Sequence, residues 1–341
     1  MRGFLKSLLQ VILPGAGMLA LLVVGAPAAE LTKIKIGVLK VSACGPVFIA
    51  KEKGYFAKEG LDAELLSFDA PTVVSQGVMA GDLDFGLAAV SAGFFNTAGQ
   101  GAMRVIAGDG DESPGFRGLV AIVSNQAYDA GVKSLKDLAG HSFAITAAGT
   151  IQQYDLAVIA KKYGFDYASL RMVPVGSFPN MISAVVGGSA DAAFPGVTPA
   201  RQALAGAKVH NLAWLGDELS MQIAVAMTSA KTAGEKPELV QRFLAVFRMG
   251  LKDYHDAFTG PDERPRDGPN AAEDYAIIAK HTEVPVETMK IGLTHLDAEG
   301  RLNVADVMNQ IAWYKSQGMV KPDVDGSKII DKRYVVALPG T

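Results

Sequence analysis

The sequence holds one cysteine, Cys44, in 341 residues. That excludes an intrachain disulfide framework and any Cys-rich zinc module. An excess of positive charge is also missing. Lys and Arg number 32 against 35 Asp and Glu, a net charge of −3, so no basic face for nucleic acid is expected. The short motifs of common enzyme sites are absent: there is no H-E-x-x-H, no G-x-S-x-G and no G-x-x-x-x-G-K-[ST]. Ala89-Val90-Ser91-Ala92-Gly93 lacks the leading glycine of a nucleophile elbow, and Gly99-Gln100-Gly101 lacks the third glycine of a dinucleotide loop. His141, His210, His255, His281 and His295 show no metal-ligand spacing and read as ordinary surface or core histidines. No metal, cofactor or catalytic constellation is expected, and an enzyme is therefore not the first reading.

What is present is a large apolar fraction, 49%, with 37 glycines and 20% charged residues. Such a chain can bury a sizeable core, and its length suits two medium α/β units. At the start, Arg2 and Lys6 precede an uncharged apolar run over 8–24, and Ala26-Pro27-Ala28 has the small-x-small pattern of signal cleavage. Residues 1–28 are expected to be a leader removed on export to the periplasm. The alternative, an uncleaved anchor, is weakened by Pro14, Gly15 and Gly17 inside the run. Val41-Ser42-Ala43-Cys44 imitates a lipobox, but Glu30, Lys33, Lys35 and Lys40 separate it from the apolar run, so Cys44 is assigned to the folded chain.

Beyond the leader, strand and helix patterns alternate. Strands are expected over 34–41, 61–68, 84–89 and from 104, with helices over 47–59 and 71–80 and another from Ser91. Asp69 is expected to cap the second of these helices. A second round follows, with strands over 118–124, 141–146, 171–175 and 191–194 and helices over 151–163, 180–186 and 199–205. Residues 222–228 form one more apolar strand, and 237–258, 270–280, 286–292 and 304–318 read as helices. Gln76 to Phe85 and Ile182 to Phe194 share a pattern of helix end, glycine, acid and buried strand. The expected fold is α/β, with two similar lobes of mixed, mainly parallel sheet flanked by helices. Lobe 1 takes 29–117 and 223–341, lobe 2 takes 118–222, and the two crossings form a hinge over a cleft.

Four strand-to-helix turns share one form. They are Ser42-Ala43-Cys44-Gly45, Ala89-Val90-Ser91-Ala92, Ala147-Ala148-Gly149-Thr150 and Pro195-Gly196-Val197-Thr198, and Ile151 joins their residues as a ligand-binding candidate. Ligands of open α/β sheets bind beyond the strand C-termini, and the first N–H groups of a helix favour anions. Plain capping chemistry is the better explanation of any single turn; four turns facing one cleft favour binding. Arg117, just before the lobe-crossing strand, is a candidate partner for a carboxylate or sulfonate, with a surface arginine as the alternative. Lys40 has a weaker claim, and Arg201 is expected to face solvent. Tyr154, Phe178 and Phe194 either wall the cleft or pack in the core.

Four stretches carry a resemblance. Residues 35–66 place Ala50, Lys53, Gly54, Tyr55, Phe56 and Gly60 where a family of binding proteins has its opening strand and helix. Residues 74–92, 133–145 and 182–194 match further stretches of the same family. The chain resembles the substrate-binding proteins of ABC importers for nitrate, sulfonates, taurine and thiamine-pyrimidine precursors. The resemblance implies two lobes closing on a small, anionic organic ligand, held by the four turns, and delivery to a permease and its ATPase in the inner membrane. A monomer is implied, with no nucleic-acid partner. The cysteine-rich motif of the family's thiamine-precursor synthase relatives is missing, which puts an enzymatic role in doubt. An enzyme on the same fold, or a receptor presenting its ligand to a sensor, remain the alternatives.

Overall fold

The computed structural model describes residues 30–340; the expected leader lies outside the described residues. Strand β1 (Thr32–Leu39) buries Ile34, Ile36 and Val38. A 3-10 turn over Ser42–Cys44 follows, then α1 (Gly45–Glu52), with Pro46 in its first turn, where a missing N–H costs nothing. The single helix expected over 47–59 is in fact two. Gly54, at φ 72, interrupts it, and α2 (Tyr55–Lys58) turns Phe56 into the core. Next come β2 (Leu61–Phe68), α3 (Pro71–Ala80), β3 (Phe85–Ala89), α4 (Ala92–Gly99) and β4 (Met103–Gly108). Asp69 does not cap α3: Ala70 holds the N-cap position and no side-chain bond is made. A strand that the pattern had not suggested, β5 (Gly110–Glu112), opens the first crossing.

The second round holds β6 (Val120–Ser124), α5 (Asn125–Asp129), β7 (Ser142–Ile145), α6 (Ile151–Tyr163), β8 (Arg171–Pro174), α7 (Phe178–Val186), β9 (Ala192–Ala193), α8 (Val197–Ala205) and β10 (Val209–Trp214). The chain returns through β11 (Met221–Gln222) to β12 (Ala224–Ser229). It ends with α9 (Ala230–Glu235), α10 (Pro237–Phe258), α11 (Ala271–Thr282), α12 (Val286–Met289), β13 (His295–Leu296) and α13 (Val304–Ser316).

Two five-stranded sheets result, in the orders β2-β1-β3-β12-β4 and β10-β6-β9-β7-β8. Both are mixed. The β-α-β units supply the parallel pairs β1 with β2 and β3, and β7 with β8 and β9. The antiparallel pairs come from strands beside the crossings: β12 lies between β3 and β4, and β6 lies between β9 and β10. The sequence signal for β10 had been missed, because its residues are only half buried.

Residues 31–340 pack as one body around a continuous apolar core. Phe85 stacks on Phe243 at 4.0 Å between centroids, joining the first sheet to α10. Helix α10 lies close against α1: a Cβ on Gly250 would stand 2.1 Å from the Pro46 carbonyl oxygen, so only glycine permits this approach. A third small sheet, β11-β5-β13, ties the crossings together. Buried Gln222 anchors it. Its Nε2 donates to the Ala224 and Gly110 carbonyls at 2.9 and 3.2 Å, and its Oε1 accepts from the Asn303 N–H at 3.0 Å. Gln310 Nε2 in turn donates to the Gln222 carbonyl at 2.7 Å, which docks α13 onto the crossings.

Candidate functional site

The two lobes meet along the strand C-termini and touch directly. The Ala92 N–H donates to the Gly149 carbonyl at 2.8 Å, and Ser91 pairs with Thr150 in an isolated antiparallel bridge. The Phe178 N–H donates to the Asp69 carbonyl at 3.2 Å. Trp313 of α13 sets its ring edge-on to Tyr154 and Tyr167 of the second lobe, at 5.6 and 5.5 Å.

Behind this seam lies a cavity of about 60 Å³, room for a few water molecules. Both lobes wall it. Leu39, Ala43, Cys44, Leu87 and Ala89 stand on one side, Ile151, Phe178 and Gly196 on the other, and the crossings supply Asp109, Glu112, Leu119 and Ile223. Of the expected site residues, Ala43, Cys44, Ala89, Ile151 and Gly196 therefore line the cavity. Phe178 walls it too, whereas Phe194 packs edge-on against Phe143 in the core.

The other expected residues are near but occupied in holding the turns. Ser42 Oγ donates to the Gly292 carbonyl at 2.7 Å. Gly45 presses on the Tyr254 ring, and Val90 is buried. Ser91 Oγ caps α4 by accepting from the Phe94 N–H at 3.1 Å. Thr150 Oγ1 donates to the Ala147 carbonyl at 2.9 Å. The Pro195 carbonyl accepts from the Val120 N–H, and the Val197 N–H donates to the Gly118 carbonyl. The Gly149 N–H donates to Gln153 Oε1. The N–H groups of Cys44, Ala92, Gly149 and Val197, expected to greet an anion, are thus spent within the protein.

Arg117 needs a larger correction. Its guanidinium lies over the Trp214 ring at 4.8 Å, and it borders a separate, more open pocket beside Phe116, Arg266 and Lys290. The cation–π contact and the bond from its own N–H to the Leu293 carbonyl keep it outside the cavity. Lys40 is likewise turned away, paired with Glu283 at 2.7 Å. Arg201 does not simply face solvent. Its Nη1 is buried without a partner, and that burial lowers its pKa.

The buried polar side chains that line the cavity include Asp109, Glu112 and Gln152. Asp109 is 3% exposed, and neither carboxylate oxygen has a hydrogen-bond partner of good geometry. Burial pushes its pKa up to about 8, the adjacent Gly110 N–H pulls it down and the Asp111 charge pushes it up. Gln152, 2% exposed, leaves Oε1 unpaired. Glu112 is raised well above the carboxylate range by burial and by the charges of Asp155 and Asp111, with the Leu119 N–H opposing. Burial raises the Cys44 thiol far out of the reactive range, so it is an inert wall. Among the described residues, no Lys, Arg or His lines the cavity and no His/Cys/Asp/Glu group could hold a metal ion. Sequence reasoning had passed over Asp109, Glu112 and Gln152. The one available signal was an Asp-Gly-Asp-Glu run directly after a buried strand, at the lobe crossing.

Two α/β lobes, a paired crossing and a buried cavity on the seam define the periplasmic-binding-protein fold. Solved structures agree. The alkanesulfonate-binding protein SsuA from Xanthomonas axonopodis pv. citri bound to MOPS matches with a TM-score of 0.70 at 16% identity, over 89% of this chain and 99% of that one. The periplasmic aliphatic sulphonate binding protein SsuA from Escherichia coli matches at 0.65 and 17%, over 91% and 94%. The periplasmic nitrate-binding protein NrtA from Synechocystis PCC 6803 matches at 0.68 and 15%, over 89% and 87%. The model of the NMT1/THI5-like family matches residues 42–263, and the chain belongs to that family. No curated protein sequence matches it.

Proposed function

We propose that the protein is the solute-binding component of an ABC importer. It captures a small organic molecule between its lobes in the periplasm and delivers it, unchanged, to a permease and its ATPase, working as a monomer. One observation carries this reading: a buried cavity whose walls come from both lobes and whose seam is closed by direct lobe-to-lobe hydrogen bonds. A ligand touching both walls stabilises the closed form over the open one by its differential contacts. The family and the fold support the same reading. The anionic cargo expected from the sequence would find several of the turn N–H groups already bonded within the protein, with the Gln152 amide still unpaired beside the cavity.

The test begins with the small molecules released when freshly purified protein is denatured, identified by mass spectrometry. Adding the released compound back should raise the melting temperature by several degrees at a hundred times its Kd, about 2.7 kcal/mol. Small-angle scattering should show the radius of gyration falling at the same time. Turnover of the compound, or binding without any change in shape, would replace this reading with an enzyme or a rigid scaffold.

A further inference from the structure

The interlobe cavity has an unbalanced chemistry. Its walls are mostly apolar, and its fully buried unpaired side-chain atoms are the two Asp109 oxygens and Gln152 Oε1, each on a side chain more than nine-tenths buried; the Gln152 amide nitrogen is unpaired as well. These atoms come from different elements, Asp109 from the start of the first crossing and Gln152 from the first turn of α6 in the second lobe. A buried acceptor without a donor costs free energy, and a buried carboxylate costs more. Only the Gly110 N–H opposes it. The charged and titratable groups around Asp109 are Asp111, Cys44, Tyr254 and, across the cavity, Glu112; none is a cation. A partner with N–H donors satisfies Asp109, and one that is also positively charged stabilises its ionised form.

We propose that the cavity takes a small, largely apolar molecule carrying a protonated nitrogen, an ammonium or amidinium, whose N–H groups bond to the Asp109 carboxylate and Gln152 Oε1. This rests on the solute-binding reading above and names the class of solute. The nitrogen supplies donors to acceptors contributed by the crossing and by the second lobe, so the bond forms fully only when the lobes are closed. The hydrocarbon body packs between Leu39, Ile151 and Phe178. Bringing a cation beside Asp109 favours its ionised form, so binding near neutral pH releases a proton.

Matched probes test this. Ethylammonium, propanoate and ethanesulfonate share one body; acetamidinium, acetate and methanesulfonate share another. Each is titrated calorimetrically into the purified protein and into Asp109→Asn and Gln152→Leu, in buffers of different ionisation enthalpy, with Trp313 fluorescence following closure. The cations are expected to bind at least roughly tenfold more tightly than the anions, with proton release, and to lose roughly tenfold or more in Asp109→Asn. Asparagine keeps the shape and can still donate to an anion, so a merely structural Asp109 would not produce that selective loss. Without ligand, Asp109→Asn should melt higher than the parent above about pH 8, where the buried Asp109 loses its proton and stands unpaired. Preference for an anion, accompanied by closure, overturns the cation assignment and leaves the solute-binding reading intact. Cation binding unchanged in Asp109→Asn also overturns it. Absence of both binding and closure with every probe overturns the assignment and counts against the solute-binding reading as well.

Discussion

Replacing Gly149 by alanine should uncouple ligand affinity from fold stability. Gly149 has φ 77, and a Cβ there would stand 2.8 Å from the Ala92 side chain across the lobe seam. Two separate costs follow. The left-handed backbone strains an alanine by about 1 kcal/mol whether the lobes are open or closed. The overlap with Ala92 exists only in the closed form. It is relieved by parting the lobes by several tenths of an ångström, which stretches the 2.8 Å bond from the Ala92 N–H to the Gly149 carbonyl and forfeits about 1 kcal/mol. With lost packing on both sides, closure weakens by about 1–2 kcal/mol, or roughly 5- to 30-fold in Kd. Gly164→Ala is the control. That glycine has φ 75 at the end of α6 with open space around its Cβ position, so it carries the same strain and no seam. Calorimetric Kd for the co-purified ligand and melting temperature without ligand are the two readouts. Both variants should melt about 2 °C or more below the parent, and Gly149→Ala alone should bind weakly. A Kd for Gly149→Ala within about twofold of Gly164→Ala would show that the Ala92–Gly149 seam is not part of the ligand-bound state.

Arg117→Ala should change the Kd of that ligand by less than about twofold, because the guanidinium lies on Trp214 outside the cavity; a tenfold loss in titration calorimetry would return Arg117 to the site. Stability of the ligand-free protein should fall as pH rises from about 4 to about 8. Asp109 holds its proton to about 8 when folded against an ordinary 3.8, so the native state binds more protons across that window, an upper limit of roughly 6 kcal/mol. Glu112, Asp155 and Asp306, all raised chiefly by burial, add to the same slope. Melting curves from pH 5 to 8 should be flatter for Asp109→Asn, and an equal slope would remove Asp109 from the account. Gly250→Ala should destabilise by about 2–3 kcal/mol or more in urea titrations, since its Cβ would collide with the Pro46 carbonyl; a loss under about 0.5 kcal/mol would mean the α1–α10 contact readily gives way.

Much of the architecture is written locally. The apolar alternation of β1, the helix over Ile151–Tyr163 with Gly164 as its stop, and the helix over Pro237–Phe258 depend on neighbours within a turn or two; both helices stand where their pattern implies, and β1 lies two residues earlier than the expected 34–41. The capping box of Ser134 and Asp137 is equally local. Errors fell where tertiary partners outvote local pattern. Gly54 divides a helix so that Phe56 can reach the core, and β10 lacks a buried face to betray it.

The same division separates the site's position from its chemistry. The chain by itself determined the leader pattern, two rounds of strand, turn and helix, and hence a family whose clefts open at strand ends. Which turns face the cavity follows from that order, because strand direction and right-handed crossovers are dictated chain-wide by simple steric rules. Only the tertiary structure decided what those turns offer. Ala92 and Gly149 are 57 residues apart, and their bond consumes the very N–H that an anion would need. Arg117 was a candidate by position, yet Trp214, nearly a hundred residues later, claims its guanidinium. Asp109 reads as one acid of a polar loop until β5, β11 and β13 pair around the crossing and bury it beside the cavity. Burial is a sum over atoms distant in sequence, and burial turns an ordinary carboxylate into an unpaired acceptor in search of a cation.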